Sequence, residues 1–506
     1  MKKTPRVQSK ATPHPSISAP AEAIGEAYYV SWRAAFAVLA VVLLLLIWYP
    51  LARINAQMTV TINEGFNTYW ESVAANGVKL YGTPPQYTYA NYPPLSFHVV
   101  GLLGRLTGDI NVAGRWISLF AYLAIGLFAG LIVRCFTSCW RPALYAALCW
   151  LIWLCAFDVV RVAYNDPHVL GIAVSMAGLF CYLRRPDSPR WLAASAALFA
   201  VSLFIKQSLL PFPAAVALQL FLTARQRLVI WMGTAVGVCV VLLGLTFAVD
   251  GSSFFAHLNF PRMYYFNDIV NSMTIYLTFV QVGFATACLW ILRTRTPGPR
   301  MVLVSAFIGA HLLTMVLLGG AGAGLNHLYE GMLATLMIAS LAVPSIEALV
   351  RGTRFPRLNY GVLLVLPLFL TTLIVLPRRI PSDLARVKEL PAAENEFQAA
   401  SAFLRQQPGP AMCETLLLCY AAGKPFEYDT FAVDELIRTG KVPMDEILGL
   451  LDSRHFRSVQ IELGANEPLQ PAPRIRFPGP FMRLLFTRYK VSLRTPKYTI
   501  FVPRES

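Results

Sequence analysis

Apolar segments of about 20 residues, the length with which an α-helix crosses the hydrocarbon core of a bilayer, recur along most of this chain. We predict eleven membrane spans, at 33–50, 113–133, 142–159, 168–183, 191–205, 208–223, 229–249, 273–292, 301–318, 328–349 and 359–377. The chain is 56% hydrophobic and 14% charged, a composition typical of membrane proteins with several spans. The sequence therefore predicts a polytopic α-helical membrane protein.

Basic residues predict how the chain is oriented. Lysine and arginine cluster in the N-terminal arm and in alternate short loops, such as the one that holds Arg184, Arg185 and Arg190. The positive-inside rule then puts the N-terminus in the cytoplasm and the tail after residue 377 outside. Orientation and attraction to anionic membrane lipids account for most of the net charge of +16, so we expect no nucleic-acid partner.

Three regions follow from this topology. Residues 1–30 are expected to form a disordered cytoplasmic arm, 31–377 a transmembrane domain, and 378–506 a soluble extracytoplasmic domain. The first outer loop, 51–112, contains an apolar stretch at 95–106 that is too short to span and is predicted to lie along the interface as a helix.

The tail is expected to form a small α/β or α+β domain. A helix at 392–406 precedes predicted strands near 411–418, 458–463, 489–493 and 498–502, and the last of them is apolar enough to be central in its sheet. Cys413 and Cys419 would pair in an oxidising compartment. The nine cysteines show no metal-ligand spacing, so no metal site is predicted.

Most acidic residues of the membrane part fall on or near the predicted outer face. They are Glu64, Glu71, Asp109, Asp158, Asp166, Asp250, Asp268 and Glu330. Glu64, just after the first span, and Asp166, in a short outer loop, are the candidate catalytic carboxylates. Each has a structural alternative, because Glu64 could complement a helix dipole and Asp166 could cap a helix. Glu71 is expected to be a solubilising surface residue.

Cations near the same face are candidates for binding an anion. Lys206, followed by Gln207, interrupts an apolar run and is expected to line a polar cavity or to snorkel from a helix end. Arg115, at the outer start of the second span, could clamp a phosphate or anchor its helix. His257 and Arg262 lie in an outer loop, where they could meet an anion or simply be solvated.

The order of these elements resembles the GT-C glycosyltransferases over about residues 33–350. The elements that carry the resemblance are Asn63-Glu64-Gly65, Tyr92-Pro93-Pro94-Leu95, Arg115, Asp166 and Phe204-Ile205-Lys206-Gln207. The second and the last are similar to elements of the dolichyl-phosphate-glucose glucosyltransferases. The wider layout, including Asn326-His327-Leu328-Tyr329-Glu330, resembles bacterial relatives of the protein O-mannosyltransferases and the lipid A aminoarabinose transferase.

Two departures from the family pattern limit what can be carried over. Many relatives have Asp-Glu where this chain has Asn63-Glu64, and the aminoarabinose enzymes have Glu-Lys-Pro-Pro where it has Asn91-Tyr92-Pro93-Pro94. A metal site or phosphate contact of those relatives is therefore not assumed here.

The resemblance implies an inverting membrane transferase that moves a sugar from a polyprenyl-phosphate carrier to a glycan, lipid or protein acceptor on the outer side. Glu64 is the first choice and Asp166 the second choice for the general base. The expected substrate-binding residues are Lys206, Gln207, Arg115, Tyr92, Pro93, Pro94, His257, Asn326 and Glu330. No cofactor is established, and a divalent cation stays open.

Two other classes of function remain as alternatives. A transporter or flippase of a lipid-linked sugar also carries polar groups near helix ends, although such proteins usually show inverted repeats, which this sequence does not display. A non-catalytic scaffold of an envelope assembly is the third reading, and it would tolerate loss of both carboxylates.

Overall fold

The structure is a computed structural model that describes residues 21–293, 298, 300–351 and 360–504. Fourteen helices precede the first strand. They are α1 (Ala21–Arg53), α2 (Ile62–Ala75), α3 (Leu95–Thr107), α4 (Ile110–Thr137), α5 (Trp140–Phe157), α6 (Pro167–Arg184), α7 (Pro189–Ile205), α8 (Pro211–Thr223), α9 (Arg225–Val249), α10 (Phe254–Leu258), α11 (Phe266–Arg293), α12 (Met301–Leu318), α13 (Tyr329–Arg351) and α14 (Tyr360–Gln406).

Helix α1 begins at Ala21, inside the segment that was predicted to be a disordered arm. The reason is local composition, since alanine and glutamate at the start of α1 are good helix formers. Residues 1–20 lie outside the described residues. The last predicted span, 359–377, begins outside them too, and its later residues belong to α14.

Eight helices in the described part of the chain are long and apolar enough to cross a membrane, and each matches a predicted span. The spans predicted at 191–205 and 208–223 correspond instead to the shorter helices α7 and α8, of 17 and 13 residues. The chain leaves α7 at Lys206, whose backbone is extended, and Pro211 occupies the first position of α8, where a missing N–H is tolerated. The predicted count of eleven is therefore not confirmed.

The first loop folds into two helices that pack on the bundle. Helix α2 packs on α3, and both contact α4, while α3 also contacts α7. The short helix predicted at 95–106 is present as α3. Glu71 is only 1% exposed, so its predicted role as a solubilising residue is wrong. Its side chain faces inward because α2 is covered on more than one side.

The C-terminal sheet domain comprises four strands and helices α15–α18. The strands are β1 (Ala411–Cys413), β2 (Ser458–Ile461), β3 (Tyr489–Arg494) and β4 (Thr499–Pro503), and the helices are α15 (Leu416–Ala421), α16 (Thr430–Arg438), α17 (Met444–Asp452) and α18 (Gly479–Arg488). The strand order is β1-β2-β4-β3, with β1 and β2 parallel and the other pairs antiparallel. The prediction that the last strand is central is confirmed.

The first predicted strand, 411–418, was too long. Its second half turns away because Gln460 binds the chain after Cys413, accepting from the backbone N–H of Thr415 at 2.9 Å. The following leucines form α15, which packs on α2. Cys413 and Cys419 form a disulfide across this turn, as the sequence allowed.

Glycine sets how closely the sheet domain approaches the membrane bundle. A Cβ atom at Gly65 of α2 would lie 2.1 Å from the backbone nitrogen of Leu417 in α15. Any other residue would push the two helices apart, since real Cβ contacts are never that short. Gly65 is thus one of the points at which the sheet domain docks on the bundle, together with Tyr69, whose hydroxyl donates to the Lys424 carbonyl at 2.9 Å.

Candidate active site

A cavity of about 630 Å³ lies where the membrane bundle meets the sheet domain. Its walls come from α2, the first loop, the α5–α6 loop, the break between α7 and α8, the loop before α11, the end of α12 and the sheet domain. The main polar lining residues are Asn63, Asn67, Asn91, Tyr92, Arg161, Asp166, Lys206, Gln207, Arg262, Asn326, His327, Asp429 and Arg476. Both charged and amide groups therefore converge on one space.

Asp166 lines this cavity and also caps helix α6. Its Oδ1 atom accepts a hydrogen bond from the backbone N–H of His168 at 2.8 Å, and Pro167 occupies the first helical position. Its Oδ2 atom accepts from Arg161 Nη1 at 3.0 Å and from Asn326 Nδ2 at 3.5 Å. The capping alternative is therefore confirmed, and the same contacts fix how the carboxylate faces the cavity.

Arg161 connects Asp166 to a second carboxylate. Its Nε atom lies 3.2 Å from Asp158 Oδ2, which also accepts a hydrogen bond from the Tyr329 hydroxyl at 3.0 Å. Burial raises the pKa of Asp158, and the Arg161 guanidinium opposes that rise. Arg161 is thus shared between two acids, so little of its charge is left for a ligand.

Lys206 is the least compensated buried charge of the site. The residue is 4% exposed, and its ammonium lies 4.6 Å from the centroid of the Tyr92 ring. Among the described residues, no carboxylate lies within 4.0 Å of it. A snorkelling lysine would hold its ammonium in solvent, so burial is inconsistent with that alternative. A buried cation that has only an aromatic face as its partner can bind an anion.

Glu64 lies outside the cavity lining and is fully buried. Its two oxygens accept from Arg115 Nε at 2.7 Å and Arg115 Nη2 at 2.8 Å, and the Oε2 atom also accepts from the Val60 N–H at 2.8 Å. The geometry is a bidentate ion pair between α2 and α4. The structure thus keeps the first-choice base away from the cavity.

Arg115 is equally enclosed. Besides Glu64, its guanidinium donates to the carbonyl oxygens of Ala56 at 2.7 Å and Met58 at 2.6 Å. A Cβ at the preceding residue, Gly114, would lie 2.2 Å from Asn165 Oδ1, so glycine permits this close packing. Arg115 therefore holds the chain between α1 and α2 and has no donor directed at the cavity.

A second buried acid of α2 escaped the sequence reading. Glu71 Oε2 accepts from Asn165 Nδ2 at 2.7 Å, and the Asn165 carbonyl accepts from Asn67 Nδ2 at 2.7 Å. Burial raises the pKa of Glu71 well above its usual value, which the hydrogen bond from Asn165 only partly offsets. This network joins α2 to the residue just before Asp166.

The other predicted binding residues divide into two groups. Tyr92, Gln207 and Asn326 line the cavity, and Gln207 Nε2 donates to the Asn91 carbonyl at 3.0 Å. Pro93, Pro94, His257 and Glu330 are not among the lining residues. Pro94 instead precedes the first turn of α3.

His257 is neither solvated nor placed to meet an anion in the cavity. Its Nδ1 atom accepts from the backbone N–H of Ala90 at 3.0 Å, and its Nε2 atom lies 2.9 Å from the carbonyl oxygen of Thr83. The imidazole therefore ties the first loop to α10. Both of its nitrogens are used in doing so.

Sequence reasoning did not identify which residues of the sheet domain line the cavity. Asp429, Phe431 and Arg476 line the cavity although they lie far along the chain from Asp166. No local signal marks them, because their proximity arises only from docking. Within the described ranges, no group of three His, Cys, Asp or Glu side chains is arranged to hold a metal ion.

The chain superposes on ArnT from Cupriavidus metallidurans bound to undecaprenyl phosphate with a TM-score of 0.59 at 13% identity, covering 94% of this chain and 98% of that one. It superposes on the oligosaccharyltransferase AglB from Archaeoglobus fulgidus, in complex with an inhibitory peptide and a dolichol-phosphate, with a TM-score of 0.51 at 13% identity, covering 84% and 69%.

These likenesses confirm the predicted GT-C-like fold. The apo form of the Cupriavidus metallidurans ArnT gives the same TM-score of 0.59, at 13% identity over the same 94% and 98% of the two chains. No protein-family model and no curated protein matches the sequence. The structural similarity therefore establishes the fold, whereas the chemistry depends on the residues of the site.

Proposed function

We propose that this protein is a membrane glycosyltransferase that moves a sugar from a polyprenyl-phosphate carrier to an acceptor on the outer face of the membrane. The observation that carries the proposal is that Asp166 and the uncompensated Lys206 share one cavity. The lipid phosphates named in the ArnT and AglB structures support a carrier of this class. A buried lysine beside membrane helices fits an anionic headgroup whose tail stays in lipid.

Asp166 is the proposed general base. Its carboxylate would accept the proton of an acceptor hydroxyl while the hydroxyl oxygen attacks the anomeric carbon of the sugar. The bond from that carbon to the phosphate oxygen breaks, and its electron pair leaves with the phosphate. One displacement from the opposite face inverts the anomeric centre. General-base assistance of this kind typically contributes about 10²- to 10⁴-fold in rate.

Lys206 is the proposed electrostatic partner of the leaving phosphate. Negative charge grows on the phosphate as the glycosidic bond breaks, and a fixed cation in a site shielded from water stabilises that charge strongly. The Tyr92 ring, 4.6 Å away, limits where the ammonium can lie. Gln207 holds the Asn91 carbonyl and so shapes the same wall.

Glu64 and Arg115 are proposed as positioning residues. Each uses its polar atoms in the shared ion pair and in backbone hydrogen bonds. Their pair fixes the start of α2, whose residues Asn63 and Asn67 line the cavity. In this proposal neither residue touches the substrate.

The proposed orientation has the N-terminus in the cytoplasm and the cavity with its sheet domain on the outer side of a bacterial inner membrane. The distribution of lysine and arginine supports it. The disulfide between Cys413 and Cys419 also supports it, because disulfides persist in oxidising compartments outside the cytoplasm.

The direct test uses the purified full chain with a radiolabelled polyprenyl-phosphate sugar and a crude envelope fraction as acceptor. We expect label to appear in an envelope product, with release of free polyprenyl phosphate and inversion at the anomeric carbon. Movement of the intact labelled lipid between leaflets, without transfer, would indicate the flippase alternative. Neither transfer nor movement would contradict the proposal.

A further inference from the structure

Cationic groups of the cavity exceed what one leaving phosphate needs. Among the described residues, Lys206, Arg262 and Arg476 line the cavity and have no carboxylate within 4.0 Å. Arg161, by contrast, contacts both Asp158 and Asp166. Lys206 is buried and Arg476 partly buried, and enclosing a cation without a close counterion is unfavourable, whereas Arg262 is exposed. The ligands of this cavity are therefore expected to bring more than one anionic group.

The two arginines differ from Lys206 in where they come from. Lys206 lies between α7 and α8 of the membrane bundle, which is where a phosphate with a membrane-embedded tail has to be held. Arg476 belongs to the sheet domain, and Arg262 belongs to the loop before α11. The donor stays in lipid because of its tail, whereas the acceptor need not. An anionic group that reaches Arg476 is therefore carried by the acceptor.

Backbone hydrogen bonds on either side of Arg476 fix the position of this residue. It lies at the tip of a tight hairpin in which Arg474 and Phe477 exchange two backbone hydrogen bonds, at 2.9 and 3.1 Å. Phe477 is buried in the core of the sheet domain, whereas Ile475 at the tip is 86% exposed. The hairpin therefore presents the arginine side chain without relying on a flexible loop.

The Arg476 guanidinium has a donor that finds no acceptor. Its Nη1 atom is buried and has no hydrogen-bond partner. Asp429 lies in the same wall and the charge of Arg476 stabilises its carboxylate, but no hydrogen bond joins the two among the described residues, and Asp429 Oδ1 accepts from the Phe431 N–H at 2.9 Å as the cap of α16. A buried, unpaired donor that lines a cavity indicates a missing ligand oxygen.

Aromatic rings connect the two arginines. The guanidinium of Arg476 lies 5.8 Å from the centroid of the Phe431 ring, and that of Arg262 lies 5.3 Å from the centroid of Phe260. The two rings are 6.1 Å apart. Each guanidinium is thus supported on an aromatic face. Arg262 Nη1 donates to the Ala321 carbonyl oxygen at 3.5 Å, and its remaining edge N–H groups can bind a planar or tetrahedral oxyanion together with Arg476.

We infer that the acceptor carries an anionic group, a phosphate or a carboxylate, which Arg476 and Arg262 bind while Lys206 holds the phosphate of the donor. This inference rests on the proposed transferase activity and specifies its acceptor class. The acceptor hydroxyl that reacts then lies between two anion sites, with Asp166 in the same cavity.

The kinetic test compares Arg476→Gln with Lys206→Gln in the transfer assay. We expect Arg476→Gln to raise the acceptor KM by about 10-fold or more, as for the loss of a charged hydrogen bond, and to leave the donor KM within about twofold. Arg483→Gln, which changes an exposed arginine of the same domain outside the cavity, is the matched control. Equal effects on both substrates, or none, would overturn the inference.

Chemical treatment of the acceptor distinguishes the two sources of charge. The envelope fraction is treated with alkaline phosphatase, which removes phosphomonoesters, or with a carbodiimide and glycine methyl ester, which neutralises carboxylates. Loss of transfer after only one treatment identifies the group that Arg476 binds. Undiminished transfer after both treatments would overturn the inference.

A binding measurement separates this inference from the activity itself. The full chain, saturated with undecaprenyl phosphate, is titrated calorimetrically with glucose 6-phosphate and with D-glucuronate as probes. We expect one probe to bind about 10-fold more weakly to Arg476→Gln than to the wild type or to Arg483→Gln. If the wild type binds but no sugar is transferred, the proposed activity fails while the anion site stands. Identical binding of both probes by all three proteins would overturn it.

Discussion

Glu64 and Asp166 are two carboxylates that the sequence makes nearly equivalent and the structure separates. Glu64 is fully buried, and both of its oxygens are engaged by Arg115. Asp166 is also hydrogen-bonded, yet its carboxylate lines the cavity. Each carboxylate accepts three hydrogen bonds from the protein, so the difference lies in access: Glu64 is enclosed within the scaffold, while Asp166 meets a cavity and can act on a ligand.

Arg115 and Lys206 differ in the same way, one belonging to the scaffold and the other to the cavity. Arg115 donates to Glu64 and to backbone carbonyls, so its charge is neutralised and its donors are satisfied within the protein. Lys206 is comparably buried and has the face of Tyr92 beside its ammonium instead of an acid. Arginine suits the first task because its planar fork satisfies several acceptors at once. Lysine suits the second because a compact ammonium can meet one incoming oxyanion.

The largest expected effect is on turnover. Asp166→Asn should lower the rate of sugar transfer by about 10²- to 10⁴-fold, because the amide cannot accept the proton of the acceptor hydroxyl. Asparagine is as good an N-cap as aspartate, so helix α6 should keep its start. Transfer of radiolabelled sugar by the purified variant measures the change.

The control for this variant is Asp109→Asn. Asp109 caps helix α4, accepting from the Val112 N–H at 2.9 Å, and it lies outside the lining of the cavity. We expect Asp109→Asn to transfer sugar at close to the wild-type rate. Normal turnover in Asp166→Asn would remove Asp166 from the role of base and weaken the contrast with Glu64.

The second effect concerns stability. Glu64→Gln keeps the shape of the side chain but leaves the Arg115 charge buried without a counterion, and breaking a buried pair in this way costs about 3–5 kcal/mol. We expect a lower midpoint of thermal unfolding in detergent, with activity lost in proportion to the folded fraction. A stable Glu64→Gln protein with no turnover would instead make Glu64 the base.

Removing both charges should undo much of that loss. In Glu64→Gln combined with Arg115→Met the unpaired buried cation is gone, so the cost of an uncompensated charge is removed and the remaining loss is that of the hydrogen bonds of Arg115 to backbone carbonyls, among them those of Ala56 and Met58. We expect the double variant to unfold at a higher temperature than Glu64→Gln alone. Additive destabilisation would mean that the two residues do not act as a pair.

The third effect is on donor binding. Lys206→Gln should raise the KM for the polyprenyl-phosphate sugar by about 10- to 100-fold, the range expected when one hydrogen bond to a charged group is lost. The midpoint of thermal unfolding should change little, because the Lys206 ammonium forms no ion pair with a carboxylate in the described part of the chain. Lys79→Gln, in an exposed part of the first loop, is the matched control. An unchanged donor KM would count against Lys206.

The overall fold could be predicted because it follows from local patterns. Apolar length sets the spans, and eight of them match helices of the structure. The uniformly apolar composition of the last strand predicted its central position in the sheet, which β4 occupies. Where the pattern was ambiguous the prediction erred, as in the strand at 411–418, whose leucines belong to helix α15.

The site was only partly predictable, because it depends on pairing across the chain. Asp166 and Lys206 carry local signals, a helix cap and a charge in an apolar run. The partner of Glu64 lies 51 residues away, and Arg476 reaches the cavity only through docking of the sheet domain. Nothing near Glu64 distinguishes an engaged carboxylate from a free one.

The smallest expected effect comes from His257, whose nitrogens are both used by the backbone. Burial lowers the pKa of His257 below its ordinary value of 6.5, and the hydrogen bond to Thr83 opposes that shift. The unfolded chain then binds a proton at a higher pH than the folded protein does. The stability contributed by the neutral imidazole is present above pH 6.5 and is lost as the pH falls below that value.

The lowered pKa of His257 predicts that the folded protein becomes less stable as the pH falls. On lowering the pH from 7.5 to 5.5, the wild type should lose stability relative to His257→Phe, because protonation of Nδ1 breaks the hydrogen bond from Ala90, a loss of about 1 kcal/mol. Thermal unfolding at both pH values measures the difference, with the exposed His455→Phe as the control. Transfer at pH 7.5 should persist in His257→Phe, since an engaged imidazole outside the cavity has no atom left for the substrate. A selective rise in donor KM would move His257 from the scaffold to the site.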